Sequence, residues 1–211
     1  MGSRSQERRE REREALREKI LDAARDLFVT EDYDAVTMRR IADKIEYSPT
    51  AIYLHFKDKK ALLTELVRLD FKALSAHLRR IAREKDPVER LRRMSQAYIE
   101  FGLAHPNHYR LLFLRPALPL SSEDKSKIDD DPQESAYVFL VESVTEAIAA
   151  GRLRPELKDA SLVAQTLWAG AHGVVALILN HQMDEPWIHW STPKDLTRLM
   201  VDVLFRGLTA P

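Results

Sequence analysis

Residues 37–63 read TMRRIADKIEYSPTAIYLHFKDKKALL, and the punctuation of this stretch decides the fold. Thr37 is placed to cap a short helix, since its side-chain oxygen can accept a backbone N–H two or three residues on. Met38-Arg39-Arg40-Ile41-Ala42 starts that helix, and Ile41 and Ile45 share a face at a spacing of four. Ser48-Pro49 restarts a helix: Ser caps it, and Pro at the first helical position gives up only an amide that had no partner. Ala51, Ile52, Tyr53 and Phe56 continue it. Asp58 caps a longer helix carried by Leu62, Leu63, Leu66, Leu69, Leu74 and Leu78 to about Arg83.

Helical spacing continues on both sides. Upstream, Leu16, Ile20, Ala23, Ala24, Leu27 and Phe28 form one apolar face, and the helix should stop near Thr30, before Glu31-Asp32-Tyr33-Asp34. Residues 4–19 alternate Arg and Glu, which supports a solvated helical extension through pairs of about 0.2–0.5 kcal/mol each. An Arg-bearing arm on phosphate is the sharper reading, weakened by the interleaved Glu. Downstream, Asp86-Pro87 opens a helix bearing Leu91, Met94, Ala97, Tyr98 and Phe101, and His105-Pro106 breaks it. Tyr109 to Leu114 form a short apolar helix ended by Pro116. Residues 116–132 read as a polar surface loop. Pro132 restarts a helix through Phe139, Leu140, Val144 and Ile148 to Gly151. Asp159 caps a long one through Leu162, Leu167, Ala171, Val175 and Leu179. A loop over 184–191 precedes Thr192-Pro193, which opens the last helix. The expectation is an all-α fold of about nine helices.

The 211 residues hold 45% hydrophobic and 31% charged residues, an ordinary globular balance. Lys+Arg and Asp+Glu are both 33, so bulk charge cannot be the working principle. Cysteine is absent, which excludes disulfides, thiol nucleophiles and zinc–thiolate sites. Residues 1–19 are charged rather than apolar, unlike a secretory signal. No run approaches the roughly 18 apolar residues of a membrane span, the longest being Gly173 to Leu179. The expected protein is cytoplasmic, without a membrane partner and without a cofactor.

Three short helices with tight turns have the size of a helix-turn-helix unit. A DNA reader needs a short, exposed second helix for the major groove and phosphate contacts on both sides of it. Ser48, Thr50, Tyr53 and His55 supply donors. Arg39, Arg40 and Lys44 supply charge before them, and Lys57, Lys59 and Lys60 after. Residues 37–60 hold six Lys/Arg against three acids, whereas residues 121–146 hold two Lys against eight acids.

The same 27 residues resemble the helix-turn-helix of the TetR family. Thr37, Ile41-Ala42, Ser48, Tyr53, His55-Phe56, Lys59 and Leu62 sit at that family's spacing. The resemblance implies a charged extension over 1–15, a DNA-binding domain over 16–62 and a ligand-binding and dimerisation domain over 63–211. It implies DNA contacts from Thr37, Arg39, Ser48, Pro49, Thr50, Ala51, Tyr53, His55 and Lys59. Tyr53, His55 and Lys59 reach phosphates, Thr50 and Ala51 face bases, and Phe56 is core. It implies a homodimer on a pseudo-palindromic double-stranded operator, released by a small-molecule effector, with repression as the sign. One departure stands out. The family carries Gly in the motif turn at a positive φ, where this chain has Ile45-Glu46-Tyr47; a Glu held there costs on the order of 1 kcal/mol.

In the C-terminal half, Trp168, His172 and Gly173 within LWAGAHGVVAL resemble a Trp-His-Gly domain type found in part of that family. Trp168 and His172 share a helix face, and Ala169, Gly170, Ala171 and Gly173 allow another helix close. A four-helix dimer seam is expected from Trp168, Ala171, Val175, Leu196, Met200 and Val203. A ligand pocket is expected among Met94, Tyr98, Phe101, Tyr109, Phe113, Phe139, Val144, Trp168 and His172. His172 reads first as a buried, hydrogen-bonded core histidine and only second as a ligand or switch group.

Two other readings compete. An enzyme lacks support: G-x-S-x-G, P-loop and G-x-G-x-x-G motifs are absent, and His105 and His108 alone are too few for a zinc site. A helical ligand-binding or adaptor protein that does not bind DNA leaves the positive, capped, short-helix unit without a purpose.

Overall fold

Local capping writes the first helices. Thr37 and Ser48 both have extended backbones, and their side chains accept the N–H groups of Arg40 and Ala51, starting α2 (Met38–Lys44) and α3 (Pro49–Tyr53). Asp58 accepts from Ala61 N at 2.7 Å and starts α4 (Lys59–Arg79). Before them α1 runs unbroken over Gly2–Thr30, so the charged extension continues the amphipathic helix rather than preceding it. The computed structural model of the chain describes residues 2–115, 119–123, 135–181 and 187–209. Most of the expected loop over 116–132, the helix restart at Pro132 and the start of the 184–191 loop lie outside these residues.

The later helices are α5 (Pro87–Ala104), α6 (Pro106–Tyr109), α7 (Ala136–Ala149), α8 (Ala160–His181) and α9 (Pro193–Leu208). Among the described residues this makes nine α-helices, with no strand beyond an isolated bridge between Leu153 and Thr209. Asp86 and Thr192 cap α5 and α9 ahead of Pro87 and Pro193, as their sequence signals require. Ser135 caps α7. Arg110–Leu114 form a π-helical segment instead of an α-helix. The α4 helix ends at Arg79, short of the expected Arg83, and turns follow it.

The chain divides into two compact units. The first contains Met1–Asp70 and Arg110–Asp130, and the second Phe71–Tyr109 and Asp131–Pro211. The first therefore extends eight residues past the expected boundary at 62/63, because Leu62, Leu63 and Leu66 are fully buried in it. Arg25 of α1 also grips Asp70 of α4 with two hydrogen bonds, 2.9 and 3.1 Å long, both groups being buried. Such a two-pronged pair is strong only because geometry offsets desolvation. The π-helical segment joins this unit through Arg115, whose guanidinium donates to Glu31 O at 2.5 Å.

The second unit closes around Leu91, Val144, Leu167, Val201 and Phe205. Two glycines mark close helix approaches. A Cβ on Gly102 would meet Val175 at 2.6 Å, and one on Gly170 would meet Leu204 at 2.6 Å. The small-residue patch on α8 thus admits α9 of the same chain. Contrary to the sequence expectation, α8 has the length and composition of a membrane span: 21 residues, Ala160–Asn180, with a mean hydropathy of 1.7. Trp168 and His172 interrupt its apolar run without lowering the average enough.

Candidate functional site

The turn between α2 and α3 holds Glu46 at φ 59°, the left-handed conformation that favours glycine. Glu46 therefore occupies the strained position itself. Ile45 N and Tyr47 N both bond back to Ala42 O, at 3.2 and 3.0 Å, and hold it there.

Ile41, Ala42, Ile52 and Phe56 are buried, which turns the rest of the pair outward. Thr37, Arg39, Ser48, Thr50 and Tyr53 are exposed, while Pro49, Ala51, His55 and Lys59 are half-buried. Tyr53 is 54% exposed. Two large side chains on this side escaped the sequence reading: Tyr47, 42% exposed, and Leu54, 74% exposed. Their apolar character reads as core, so only their placement identifies them.

The charges near the pair differ in how they are held. Arg40 pairs with Glu31 at 2.5 Å, and Lys44 lies 3.4 Å from Asp26. Lys59 donates to Tyr33 O at 2.7 Å, and its ammonium sits 4.0 Å over the Tyr33 ring. This anchors the start of α4 on the loop after α1. His55 borders an open cleft of about 730 Å³ with Glu7, Glu10, Arg11, Arg13, Glu14 and Arg17. Partial burial, and then Arg13 and Arg17, hold the His55 imidazole below its ordinary pKa. Arg17 also stacks over Phe56 and pairs with Glu65.

In the second unit, four residues of the expected pocket form one hydrogen-bond chain. Trp168 Nε1 donates to Tyr98 Oη at 2.9 Å, and Tyr98 donates to Tyr109 Oη at 3.2 Å. Tyr109 Oη lies 2.6 Å from His172 Nδ1. With the donors running one way, Nδ1 accepts and the neutral imidazole carries its proton on Nε2. Burial lowers the His172 pKa and raises those of both tyrosines.

The rest of the expected lining behaves as packing. Met94, Phe101, Phe139 and Val144 are buried, as are Tyr98 on α5 and Tyr109 on α6. Phe113 belongs to the first unit. The expected dimer seam also needs correction: Ala171 and Val175 are buried within their own unit, on the face of α8 turned to α5 and α9. Leu196 and Met200 are half-buried, and Trp168 and Val203 are exposed. The large apolar side chains left outside on these helices are Leu162, Leu177 and Leu199 with Val203, the last two 64% and 60% exposed. His105 and His108 meet each other edge-on and pack at steep angles against Phe101, and no metal-competent cluster occurs among the described residues.

Two family models match the chain. The one described as bacterial regulatory proteins, tetR family, covers residues 20–66, and the one described as tetracyclin repressor-like, C-terminal domain, covers residues 91–204. The chain is similar to the HTH-type transcriptional repressor Rv1474c of Mycobacterium tuberculosis, 44% identical over 62 residues, 29% of this chain and 33% of that protein. It thus matches a third of that relative's length. It is similar to the HTH-type transcriptional repressor KstR2 of the same species, 28% identical over 148 residues, 70% of this chain and 73% of that one. Among solved structures it shares its fold with AibR in complex with isovaleryl coenzyme A and operator DNA. That match has a TM-score of 0.72 at 24% identity, over 90% of this chain and 97% of that one.

Proposed function

The chain belongs to the TetR family of bacterial regulatory proteins, and from that premise we propose that it is a ligand-responsive transcriptional regulator that binds a pseudo-palindromic operator as a homodimer. The observation that carries this reading is the α2–α3 pair. Its inner side is buried, its turn is held at Glu46, and Thr50 and Tyr53 stand exposed. In this reading Thr50 and Ala51 meet base edges. Thr37, Arg39, Ser48, Tyr53, His55 and Lys59 fix register on phosphates, with Pro49 shaping the start of the reading helix. Residues 16–62 serve DNA and 63–211 serve effector and partner.

The exposed apolar residues Leu162, Leu177, Leu199 and Val203 support a four-helix seam between two copies through α8 and α9. Such a dimer sets two reading helices about 34–36 Å apart, one turn of DNA. The effector enters the second unit around the Trp168–Tyr98–Tyr109–His172 chain, the Trp-His-Gly signature marking that domain type. AibR, whose fold is shared, binds isovaleryl coenzyme A, which supports a small-molecule effector. The effector lowers operator affinity only if it binds the DNA-incompetent geometry better. Two relatives named as repressors favour repression, and an operator places this work in the cytoplasm.

Selection of bound duplexes from a random pool at moderate salt tests the reading. A two-fold symmetric site is expected, with binding lost in Tyr53→Ala and steeply reduced by salt. A correctly folded dimer that enriches no sequence overturns operator binding and leaves a ligand-binding or adaptor role.

A further inference from the structure

Several arginines of the second unit are held by carboxylates. Arg90 pairs with Glu146, Arg92 with Asp202, Arg93 with Glu84 and Glu89, and Arg152 with Asp86. Arg79, the last residue of α4, instead lies 5.2 Å over the ring of Phe139 on α7. Its Nε and Nη2 are buried, and no hydrogen-bond acceptor reaches either of them. A buried N–H without an acceptor is costly, and on a permanently charged guanidinium more so. Such a group persists where something else offsets its cost, as the ring contact does in part and a bound anion would do in full.

We propose that Arg79 is the anchor for the anionic group, carboxylate or phosphate, of a small organic ligand seated against Phe139. This rests on the effector reading above and gives that effector a charge. The guanidinium fork matches both anions with two parallel donors. The Phe139 ring, 5.2 Å from the guanidinium carbon, offers an apolar wall for the ligand body. Local charge favours an anion. Arg80, Arg83 and Lys85 follow Arg79 within six residues, all exposed, and the one acid among them, Glu84, is turned to Arg93 at 3.2 Å. Tyr137, two residues before Phe139 on α7, meets Trp168 at a ring distance of 6.3 Å, so α7 touches both Arg79 and the end of the hydrogen-bond chain. A ligand that moves Phe139 is therefore coupled to the apolar outer face of α8.

The test is calorimetric titration of the full-length protein with octanoate, octanoyl coenzyme A and uncharged methyl octanoate. At least one anionic probe should bind and the methyl ester should not. Octanoate alone identifies a carboxylate, the thioester alone a phosphate. Arg79→Met should weaken the binding roughly ten- to hundredfold, with Arg79→Lys intermediate and a melting temperature for Arg79→Met no lower than the parent's. Equal affinity in parent and Arg79→Met, failure of both anionic probes, or equal binding of the methyl ester overturns the proposal. Operator mobility shifts without probe separate the two readings. If parent and Arg79→Met both bind operator while the titrations fail, only the anion anchor falls. If neither binds operator, the regulator reading falls first.

Discussion

The α2–α3 pair and the α8–α9 pair are both two-helix packings, yet they are specified by different means. The first uses helices of 7 and 5 residues, each started by its own capping side chain. Neither is long enough to be stable alone, so local signals must set the ends and the turn. The second uses helices of 22 and 16 residues, apolar on more than one side. There the local pattern says helix, and only the neighbours decide which side is inside. Short elements are thus written by their ends, and long ones by what packs on them.

That contrast is broken or sharpened most strongly on α8 and α9. Val175→Asp buries an unpaired charge and should cost more than about 4 kcal/mol, seen as loss of cooperative urea unfolding. Val203→Asp, the same chemistry on the exposed side, should keep the monomer folded and shift sedimentation from dimer to monomer. If the two variants behave alike, the inside–outside assignment of these helices is wrong.

A smaller effect is expected from the hydrogen-bond chain. Tyr109→Phe removes its central hydroxyl and should cost about 1–2 kcal/mol. The chain also predicts a pH dependence. His172 is held neutral below its ordinary pKa of 6.5, so the unfolded state takes up its proton first. Its stabilisation is present above pH 6.5 and is lost as pH falls through the lower folded-state pKa. Unfolding free energy measured from pH 7.5 to 5 should fall, and His172→Gln should flatten the fall; an unchanged slope would remove His172 as the cause.

The smallest effect lies in the motif turn. Glu46→Gly relieves the positive φ and should stabilise by up to about 1 kcal/mol, less the added freedom of the unfolded chain. A lower urea midpoint in this variant would mean that the Glu46 side chain contributes contacts that outweigh its backbone strain.

How much is legible in the sequence follows the same division. Thr37, Ser48, Asp58, Asp86, Asp159 and Thr192 announce six helix starts, because a cap is a contact between residues two or three apart. The strained turn was legible too, since a missing glycine is visible in a string of letters. Hidden were Tyr47 and Leu54, whose apolar character reads as core until the pair is seen to turn them outward. The expected seam residues Ala171 and Val175 proved internal, because an apolar residue on a helix apolar all round carries no mark of its partner. The Trp168–Tyr98–Tyr109–His172 chain joins residues up to 74 positions apart, and no local pattern announces a contact of that span.

The sequence by itself determined that this protein is helical, where most helices begin, and which 27 residues form its helix-turn-helix, because those properties reside in neighbours along the chain. Tertiary structure alone decided which faces are spent inside, that Asp70 answers Arg25, and that Arg79 meets a ring instead of a carboxylate. Those outcomes depend on which distant segments arrive, and burial energy counts the atoms that arrive rather than their order along the chain.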